Sequence, residues 1–138
     1  MTTRGCVFCD SDGGRVLWRD AGVRVIAPEE PDHPGLLRVV WNEHVAEMTD
    51  LAPRDRDHLM RVVFAVEDAA RRILVPDKMN LASLGNVVPH LHWHVVPRFT
   101  TDPHFPDPVW GARLRDRPVA IRADFRDAMV AQLATALE

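Results

Sequence analysis

Three histidines, His90, His92 and His94, occupy alternate positions within five residues of the chain. In an extended strand, side chains at i, i+2 and i+4 point to one face, so the three imidazoles are predicted to form a row. The residues between and after them are large and apolar and would face the opposite way. This alternation is typical of a half-buried strand, whereas helical geometry would scatter the histidines over different faces.

A row of imidazoles supports two kinds of chemistry. Neutral imidazole is a common ligand for zinc and other transition metals. Histidine is also the side chain whose ordinary pKa, near 6.5, lets it act as base, acid or nucleophile at neutral pH, for example at a phosphate group. The remaining alternative is an ordinary solvated strand face. Three titratable groups in one row favour a site over that alternative.

The two cysteines of the chain form the motif Cys6-x-x-Cys9 near the N-terminus. In a reducing compartment such a pair indicates metal or redox chemistry more than a structural disulfide. A tetrahedral zinc site normally takes four Cys or His ligands, so two further ligands would have to come from elsewhere in the chain. The alternative is a pair of free, buried thiols.

The chain resembles the histidine-triad (HIT) family at these residues. The family motif is His-x-His-x-His followed by two apolar residues, and here it reads His90-Leu-His92-Trp-His94-Val-Val. Four further landmarks follow the order of the family: Cys6-Val7-Phe8-Cys9, Pro34-Gly35, His44 with Asp50-Leu51, and Gly85-Asn86-Val87-Val88-Pro89. The resemblance covers about residues 4–98.

The resemblance implies a role for each histidine of the motif. His92 would be the nucleophile, and His94 would hold the α-phosphate and assist the leaving group. His90 would orient the site, here through a structural zinc ion. The zinc ligands implied by the family are Cys6, Cys9, His44 and His90.

The implied activity is hydrolysis or transfer at the α-phosphate of a dinucleoside polyphosphate or a nucleoside phosphoramidate, through a covalent nucleotidyl-histidine. The alternative is a metal- or nucleotide-binding sensor without turnover. Besides His94, the family implies nucleotide contacts from Asn86, which stands where a glutamine is usual, from Asn80 and from Glu29. Glu29 could equally belong to a solvated acidic loop. The loop before the motif is shorter than in many members, which leaves the leaving group open.

The expected fold is α+β, with an antiparallel sheet of about five strands, one long helix and a C-terminal helix. Short connections between successive strands favour antiparallel order. Residues 1–138 are predicted to form one HIT domain, with a core at about 4–98 and a proline-rich segment plus helix at 99–138. The predicted strands are Val16–Trp18, Val23–Ala27, Leu36–Trp41, Lys78–Leu84, which turns directly into the last strand, and that last strand, the histidine strand.

Two helices are predicted from apolar spacing. The first begins near Pro53, which suits a first helical turn, and its apolar face runs from Leu59 to Ile73. The second covers roughly Ala123–Leu137. The proline-rich segment between Arg98 and this helix excludes regular structure, yet its apolar residues must pack somewhere. In relatives the C-terminal segment can reach the active site of the partner in a homodimer, so His104 and Trp110 are candidate substrate contacts.

Charge and hydropathy limit the possible partners. A net charge of −3 provides no basic field for nucleic acid, so an anionic ligand must be held by local groups. The chain has no apolar run of membrane-spanning length and no signal-peptide pattern, which predicts a cytoplasmic protein without membrane contact. The resemblance adds a homodimer. His33 is expected on the surface, and His58 is given no role.

Overall fold

The computed structural model describes residues 3–138, so the first two residues of the predicted domain lie outside it. Five strands form one antiparallel sheet in the order β1-β2-β3-β5-β4. Their bounds are Arg15–Arg19 (β1), Val23–Ala27 (β2), Leu37–Trp41 (β3), Lys78–Ala82 (β4) and His92–Arg98 (β5). The predicted α+β class and the five-stranded antiparallel sheet are confirmed.

Two helices cover one face of this sheet, α2 (Pro53–Leu74) and α3 (Phe125–Ala136). Pro53 occupies the first turn of α2, where its missing N–H costs no helical hydrogen bond. The apolar stripes of both helices are buried against alternate residues of the strands, as their spacing predicts. The helix residues in this core are Leu59, Val62, Val63, Val66, Ala69, Ala70, Phe125, Met129 and Leu133.

The opposite face of the sheet, called here the histidine face, carries polar side chains at alternate positions. It presents Arg24 from β2, Arg38 from β3, and His92, His94 and Arg98 from β5. In the β3–β5 register, Arg38 is paired with His94, and the next pair on this face is Val40 with His92. Charged or titratable side chains on this face therefore lie next to apolar ones such as Val40 and Val96.

A short N-terminal helix, α1 (Val7–Asp10), lies over the histidine face and was not predicted. Phe8 of α1 packs with Ile26 and Val40 in a small core of its own. The buried Arg24 guanidinium donates to the carbonyl oxygens of Phe8 (2.7 Å) and Asp12 (3.0 Å) and to Oδ1 of Asn42 (2.9 Å). These bonds fix the cysteine-bearing segment to the sheet.

The two strands around the motif are shorter than predicted. β4 ends at Ala82 instead of Leu84, and β5 begins at His92, so residues 83–91 form a loop where a direct turn was expected. His90 precedes the strand, and the predicted row of three imidazoles is wrong in this respect. The reason is local: Leu91 bonds to the Val45 carbonyl through its N–H, and the His90 ring turns away toward the Trp41 carbonyl.

Residues 99–124 contain no helix or strand, as the prolines predict. The buried Asp102 organises this segment by accepting hydrogen bonds from Arg98 and from the backbone N–H groups of Phe99, His104 and Phe105. His33 is buried against it, with 5% of its surface exposed, so its predicted surface position is wrong. Within residues 3–138 no helix has the length and apolar character needed to cross a membrane.

Candidate active site and metal centre

Four side chains from distant parts of the chain converge beside α1. The ligating atoms of Cys6, Cys9, His44 and His90 all lie within 4.8 Å of one another. The Cys6 Sγ is 3.3 Å from the His90 Nδ1, the Cys9 Sγ is 3.4 Å from the His44 Nδ1, and the two Nδ1 atoms are 3.1 Å apart. In a tetrahedral zinc site, ligand atoms are separated by roughly 3.3–3.8 Å, given the usual bond lengths. This cluster could hold a metal ion.

The tautomer of His90 also suits a metal ligand. Its Nε2–H donates to the Trp41 carbonyl at 2.6 Å, so the Nδ1 lone pair points into the cluster. A ligating histidine commonly donates its other ring N–H to a carbonyl in this way, which fixes the ring and raises its basicity. Both cysteines are free thiols. The donor set and the geometry therefore fit zinc.

His92 is held in one tautomer by the residue two positions before it. Its Nδ1–H donates to the His90 carbonyl oxygen at 2.5 Å, and the ring packs against Phe8 with centroids 4.9 Å apart. The remaining nitrogen, Nε2, then carries the lone pair. Burial, and secondarily the positive charge of Arg38, lower the pKa of His92, which favours the neutral ring. A neutral imidazole with one nitrogen fixed and the other free is a competent nucleophile.

His94 lies beside His92 and, unlike it, has a buried ring nitrogen without a hydrogen-bond partner in the described chain. Its ring meets those of His92 and Trp110 edge-on, with centroids 5.0 Å apart in each case. Its Nδ1 is buried and has no hydrogen-bond partner among the residues that the structure describes. Burial, followed by the charges of His92 and Arg38, lowers the pKa of His94 to about 4. The ring is therefore neutral at pH 7.

The two histidines line a cavity of about 450 Å³. Its wall is apolar on the side of α1, where Val7 and Phe8 lie, and mostly apolar on the side of the loop before β5, where Asn86 is the exception. Its polar groups are concentrated at the floor, where His92, His94 and Arg38 lie. The full lining is Val7, Phe8, Gly13, Arg38, Leu84–Val88, His92, His94 and Trp110. A cavity of this kind, mostly apolar with a few convergent polar groups, is typical of a small-molecule site.

Comparison with known proteins decides the family. The model of the HIT domain matches residues 13–101. The chain belongs to the HIT family. It is similar over 92% of its length to a histidine triad protein from Bradyrhizobium japonicum, with 28% identity, 92% of that chain covered and a TM-score of 0.73. It is also similar to a Zn-bound histidine triad family protein from Mycobacterium smegmatis, with 25% identity, 95% and 94% coverage, and a TM-score of 0.66.

A third relative is an AP-4-A phosphorylase from Mycobacterium tuberculosis. It is 28% identical over 107 residues, which are 73% of this chain. The chain spans only 55% of the length of this relative. The membership thus indicates a protein of the nucleotide-binding HIT superfamily, which includes hydrolases and transferases, without fixing the reaction.

The cavity lined by His92 and His94 is called here the histidine cavity. Two of the residues that the HIT resemblance implies for nucleotide binding, Asn86 and His94, line it. The other two do not. The Asn80 Oδ1 accepts a hydrogen bond from Arg98 at 2.8 Å, and this residue lines an adjoining cavity. The Glu29 side chain is 93% exposed and lies 3.8 Å from the Arg126 guanidinium. The structure therefore does not bring Asn80 and Glu29 together with the histidines.

Of the two candidate substrate contacts in the proline-rich segment, His104 and Trp110, only Trp110 lines the histidine cavity. Trp110 borders both the histidine cavity and the adjoining one, with 53% of its surface exposed. His104 is instead buried, and its Nδ1 is 2.8 Å from the His33 Nε2. His104 lines neither of these two cavities. Its place is in the buried cluster around Asp102.

Sequence reasoning missed two residues at the floor and wall of the cavity, Arg38 and Phe8. The signal for Arg38 was available, because a single arginine interrupts the apolar stretch Leu36–Trp41. An arginine inside a strand that is otherwise apolar is almost never fully buried unless it is paired, so its position requires an explanation. Phe8 had no comparable signal, since its contact with His92 depends on how α1 folds over the sheet.

Proposed function

We propose that this HIT protein cleaves a nucleotide at its α-phosphate through a covalent bond between that phosphate and His92. The observation that carries the proposal is the fixed tautomer of His92, whose Nδ1–H donates to the His90 carbonyl and so leaves the ring lone pair on Nε2. The fold alone would not support this, because the same fold can host different functions. The AP-4-A phosphorylase relative supports a nucleotide substrate.

The reaction would occur in two displacements. In the first, the His92 Nε2 lone pair forms a bond to the α-phosphorus as the bond to the leaving group breaks, and the leaving group takes that electron pair. In the second, the oxygen of a water molecule bonds to the same phosphorus as the P–N bond breaks and its electron pair returns to His92; one water proton stays on the nucleoside monophosphate and the other passes to solvent. His94 and Asn86 would hold the oxygens of the phosphate during both steps, and Trp110 would border the bound substrate.

We further propose that zinc occupies the cluster of Cys6, Cys9, His44 and His90. A bound zinc ion would fix the position of His90. Through its carbonyl, His90 in turn orients His92, so metal and nucleophile are connected by a single residue. The Zn-bound relative from Mycobacterium smegmatis supports this choice of metal.

The zinc proposal has a direct test. The purified protein should contain about one zinc per chain. Cys9→Ser should remove the metal and lower the melting temperature markedly, because structural zinc sites contribute on the order of 10 kcal/mol. Asp10→Ser, at the exposed neighbouring position outside the cluster, is the matched control and should keep the metal. A protein without zinc whose stability does not change in Cys9→Ser would contradict the proposal.

A second candidate is a metal- or nucleotide-binding sensor without turnover. It is favoured by the two unpartnered polar atoms of the cavity, which require a ligand without requiring chemistry. A substrate panel of adenosine and guanosine phosphoramidates, dinucleoside polyphosphates and nucleotides distinguishes the two. The enzyme releases nucleoside monophosphate from at least one of them, and release must disappear in His92→Asn. Binding without any release would favour the sensor.

The remaining parts of the assignment stay predictions: one HIT domain over residues 1–138, a cytoplasmic location, a homodimer, and contacts of Asn80 and Glu29 with the nucleotide. For the homodimer, β4 leaves an edge of the sheet uncovered by another strand within residues 3–138. Such an edge is a common pairing surface. Sedimentation velocity should show a dimer at micromolar concentration. A fully active monomer would rule out a dimer as the working form.

A further inference from the structure

Of the three arginines on the histidine face, Arg38 is the one whose buried side-chain nitrogen has no hydrogen-bond partner in the described chain. The guanidinium groups of Arg24 and Arg98 both donate to several carbonyl or carboxylate oxygens. The Arg38 Nε is buried and has no hydrogen-bond partner among residues 3–138. An unpaired buried donor is costly, and more so when it is charged. Arg38 therefore needs an explanation that the fold does not supply.

The residue paired with Arg38 across the sheet also has a buried polar atom without a partner among the described residues. Arg38 is directly paired with His94 in the β3–β5 register, and His94 is 94% buried with an unpartnered Nδ1. Both residues line the cavity of about 450 Å³. The negative charge of Glu30 acts on the Arg38 guanidinium, but Glu30 does not line this cavity. A ligand that accepts several hydrogen bonds would satisfy both atoms at once.

The position of Arg38 along the strands indicates which part of a ligand it would meet. The nucleophile His92 is paired with Val40, and Arg38 lies one pleat repeat away, which is roughly 7 Å. The register therefore pairs Arg38 with His94, the histidine to which the family resemblance assigns the leaving group, while the charge of Arg38 also bears on His92. The Arg38 guanidinium would therefore contact the leaving group on the α-phosphorus more readily than the α-phosphate itself.

We propose that Arg38 binds the phosphate that follows the α-phosphate, so that the site selects nucleotides whose leaving group is itself a phosphate over those whose leaving group is an amine. This rests on the proposed function. As the α-phosphorus bonds to His92, the leaving phosphate keeps the electron pair of the broken P–O bond, and Arg38 offsets the added charge. A phosphate leaves as an anion and needs no proton.

An amine leaving group would need a proton, and the cavity offers none readily. His94 is neutral at pH 7 because burial lowers its pKa to about 4. Arginine does not give up its proton in proteins. The charge and the protonation state on this side of the cavity both favour an anionic leaving group.

Binding to a variant that cannot turn over tests this without depending on catalysis. His92→Asn keeps a donor near the position of Nδ1 and removes the nucleophilic nitrogen. In this background, ADP and AMP differ by the single phosphate that Arg38 would hold. Titration calorimetry should show ADP binding more tightly than AMP. Adding Arg38→Met should lower ADP affinity on the order of 10- to 100-fold while changing AMP affinity far less.

Two controls make the test specific. Arg19→Met removes an exposed arginine of β1 that pairs with Asp12, and it should leave both affinities unchanged. Arg38→Lys keeps the charge without the planar fork and should retain part of the preference for ADP. If circular dichroism shows that Arg38→Met is poorly folded, Arg38→Lys replaces it as the test of the preference for ADP.

The proposal is overturned if the ratio of ADP to AMP affinity survives in Arg38→Met, or if ADP shows no preference over AMP when Arg38 is present. Failure of this proposal and failure of the proposed function give different results. If Arg38→Met abolishes the ratio but the wild type cleaves no nucleotide, only the covalent reaction fails. If the wild type cleaves nucleotides and the ratio is unaffected, only the role of Arg38 fails.

Discussion

Two arginines on the same face of the sheet, the buried Arg98 and the half-buried Arg38, differ in how the chain satisfies their guanidinium groups. The Arg98 guanidinium donates to both carboxylate oxygens of Asp102, to the Asn80 side chain and to the Asp107 carbonyl, at 2.8–3.1 Å. The Arg38 Nε, also buried, has no partner within the described chain. The first arrangement is complete without a ligand, and the second is not. Buried polar groups that are left unpaired are thus a better guide to a site than buried polar groups as such.

The same contrast holds for the histidines of the two regions. His33 and His104 bond to each other beside Asp102 and are satisfied within the chain. His94, beside the proposed nucleophile His92, has an Nδ1 without a partner among the described residues. Histidine content would not distinguish the two regions, since each contains at least two buried imidazoles. The distinguishing feature is whether the chain itself provides the partner.

The largest expected effect separates the regions by activity. His92→Asn should lower kcat on the order of 10⁴-fold or more, because a nucleophile acts in the chemical step. His104→Asn, a matched change in the satisfied cluster, should leave kcat within about tenfold. Steady-state release of nucleoside monophosphate measures both. Similar losses of kcat in the two variants would mean that the cluster around Asp102 takes part in catalysis.

The next effect separates the two arginines by stability. Arg98→Met leaves the Asp102 carboxylate buried without its partner and should cost about 3–5 kcal/mol in the free energy of unfolding. Arg38→Met removes an unpaired cation and should cost under about 1 kcal/mol, or stabilise the protein. Urea unfolding of both variants provides the comparison. Equal destabilisation would show that Arg38 has a structural role after all.

A pH titration should show that two single groups, His94 and Asp102, lose their contributions to stability in different windows. The pKa of His94 is lowered to about 4, so the unfolded state binds its proton first as the pH falls below about 6.5. Its contribution, at most about 3.4 kcal/mol, is present above pH 6.5 and is lost between pH 6.5 and about 4. His94→Gln should lose less stability in that window, as measured by the difference in unfolding free energy.

For Asp102 the loss comes at lower pH. Burial alone opposes its ionisation, but Arg98 and the backbone N–H donors outweigh burial and hold its pKa well below the usual range. Its contribution is therefore present above about pH 4 and is lost only as the pH falls further.

If His94→Gln and the wild type lost stability in parallel between pH 6.5 and 4, the burial of a neutral His94 would be wrong.

The smallest effect concerns ligand-induced stability. ADP at ten times its dissociation constant should stabilise the wild type by about 1.4 kcal/mol. The same concentration should stabilise Arg38→Met much less, because the affinity is lower. Arg19→Met should behave like the wild type. Thermal unfolding with and without ADP gives the shift, and an unchanged shift in Arg38→Met would weigh against a phosphate contact.

The elements that could be predicted from the sequence are those with a local pattern. The helical spacing from Leu59 onward predicted α2, and the alternation of polar and apolar residues from His90 to Val95 predicted β5. His90 was misplaced because its conformation depends on the distant Trp41 carbonyl and on the cysteine cluster, which no local pattern records. The short helix α1 was missed because four residues carry no periodicity.

The site was predictable to a similar degree. The motif and the Cys-x-x-Cys pair led to the two clusters that the structure brings together, whereas pairing across the sheet decided the rest. Arg38 enters the site through its register with His94, and His33 leaves the surface through its bond to His104. Both depend on contacts between residues far apart in sequence, and an isolated arginine or histidine does not show which partner it will meet.

The central claim, that His92 forms a covalent bond to the α-phosphate, can be tested by trapping the intermediate. The wild type is mixed with a dinucleoside polyphosphate and quenched within milliseconds at high pH, where phosphoramidate bonds last longest. Peptide mass spectrometry should then find a nucleoside monophosphate on His92, and none on His94 or in His92→Asn. An enzyme that releases product in single turnovers without ever carrying nucleotide on His92 would contradict the account.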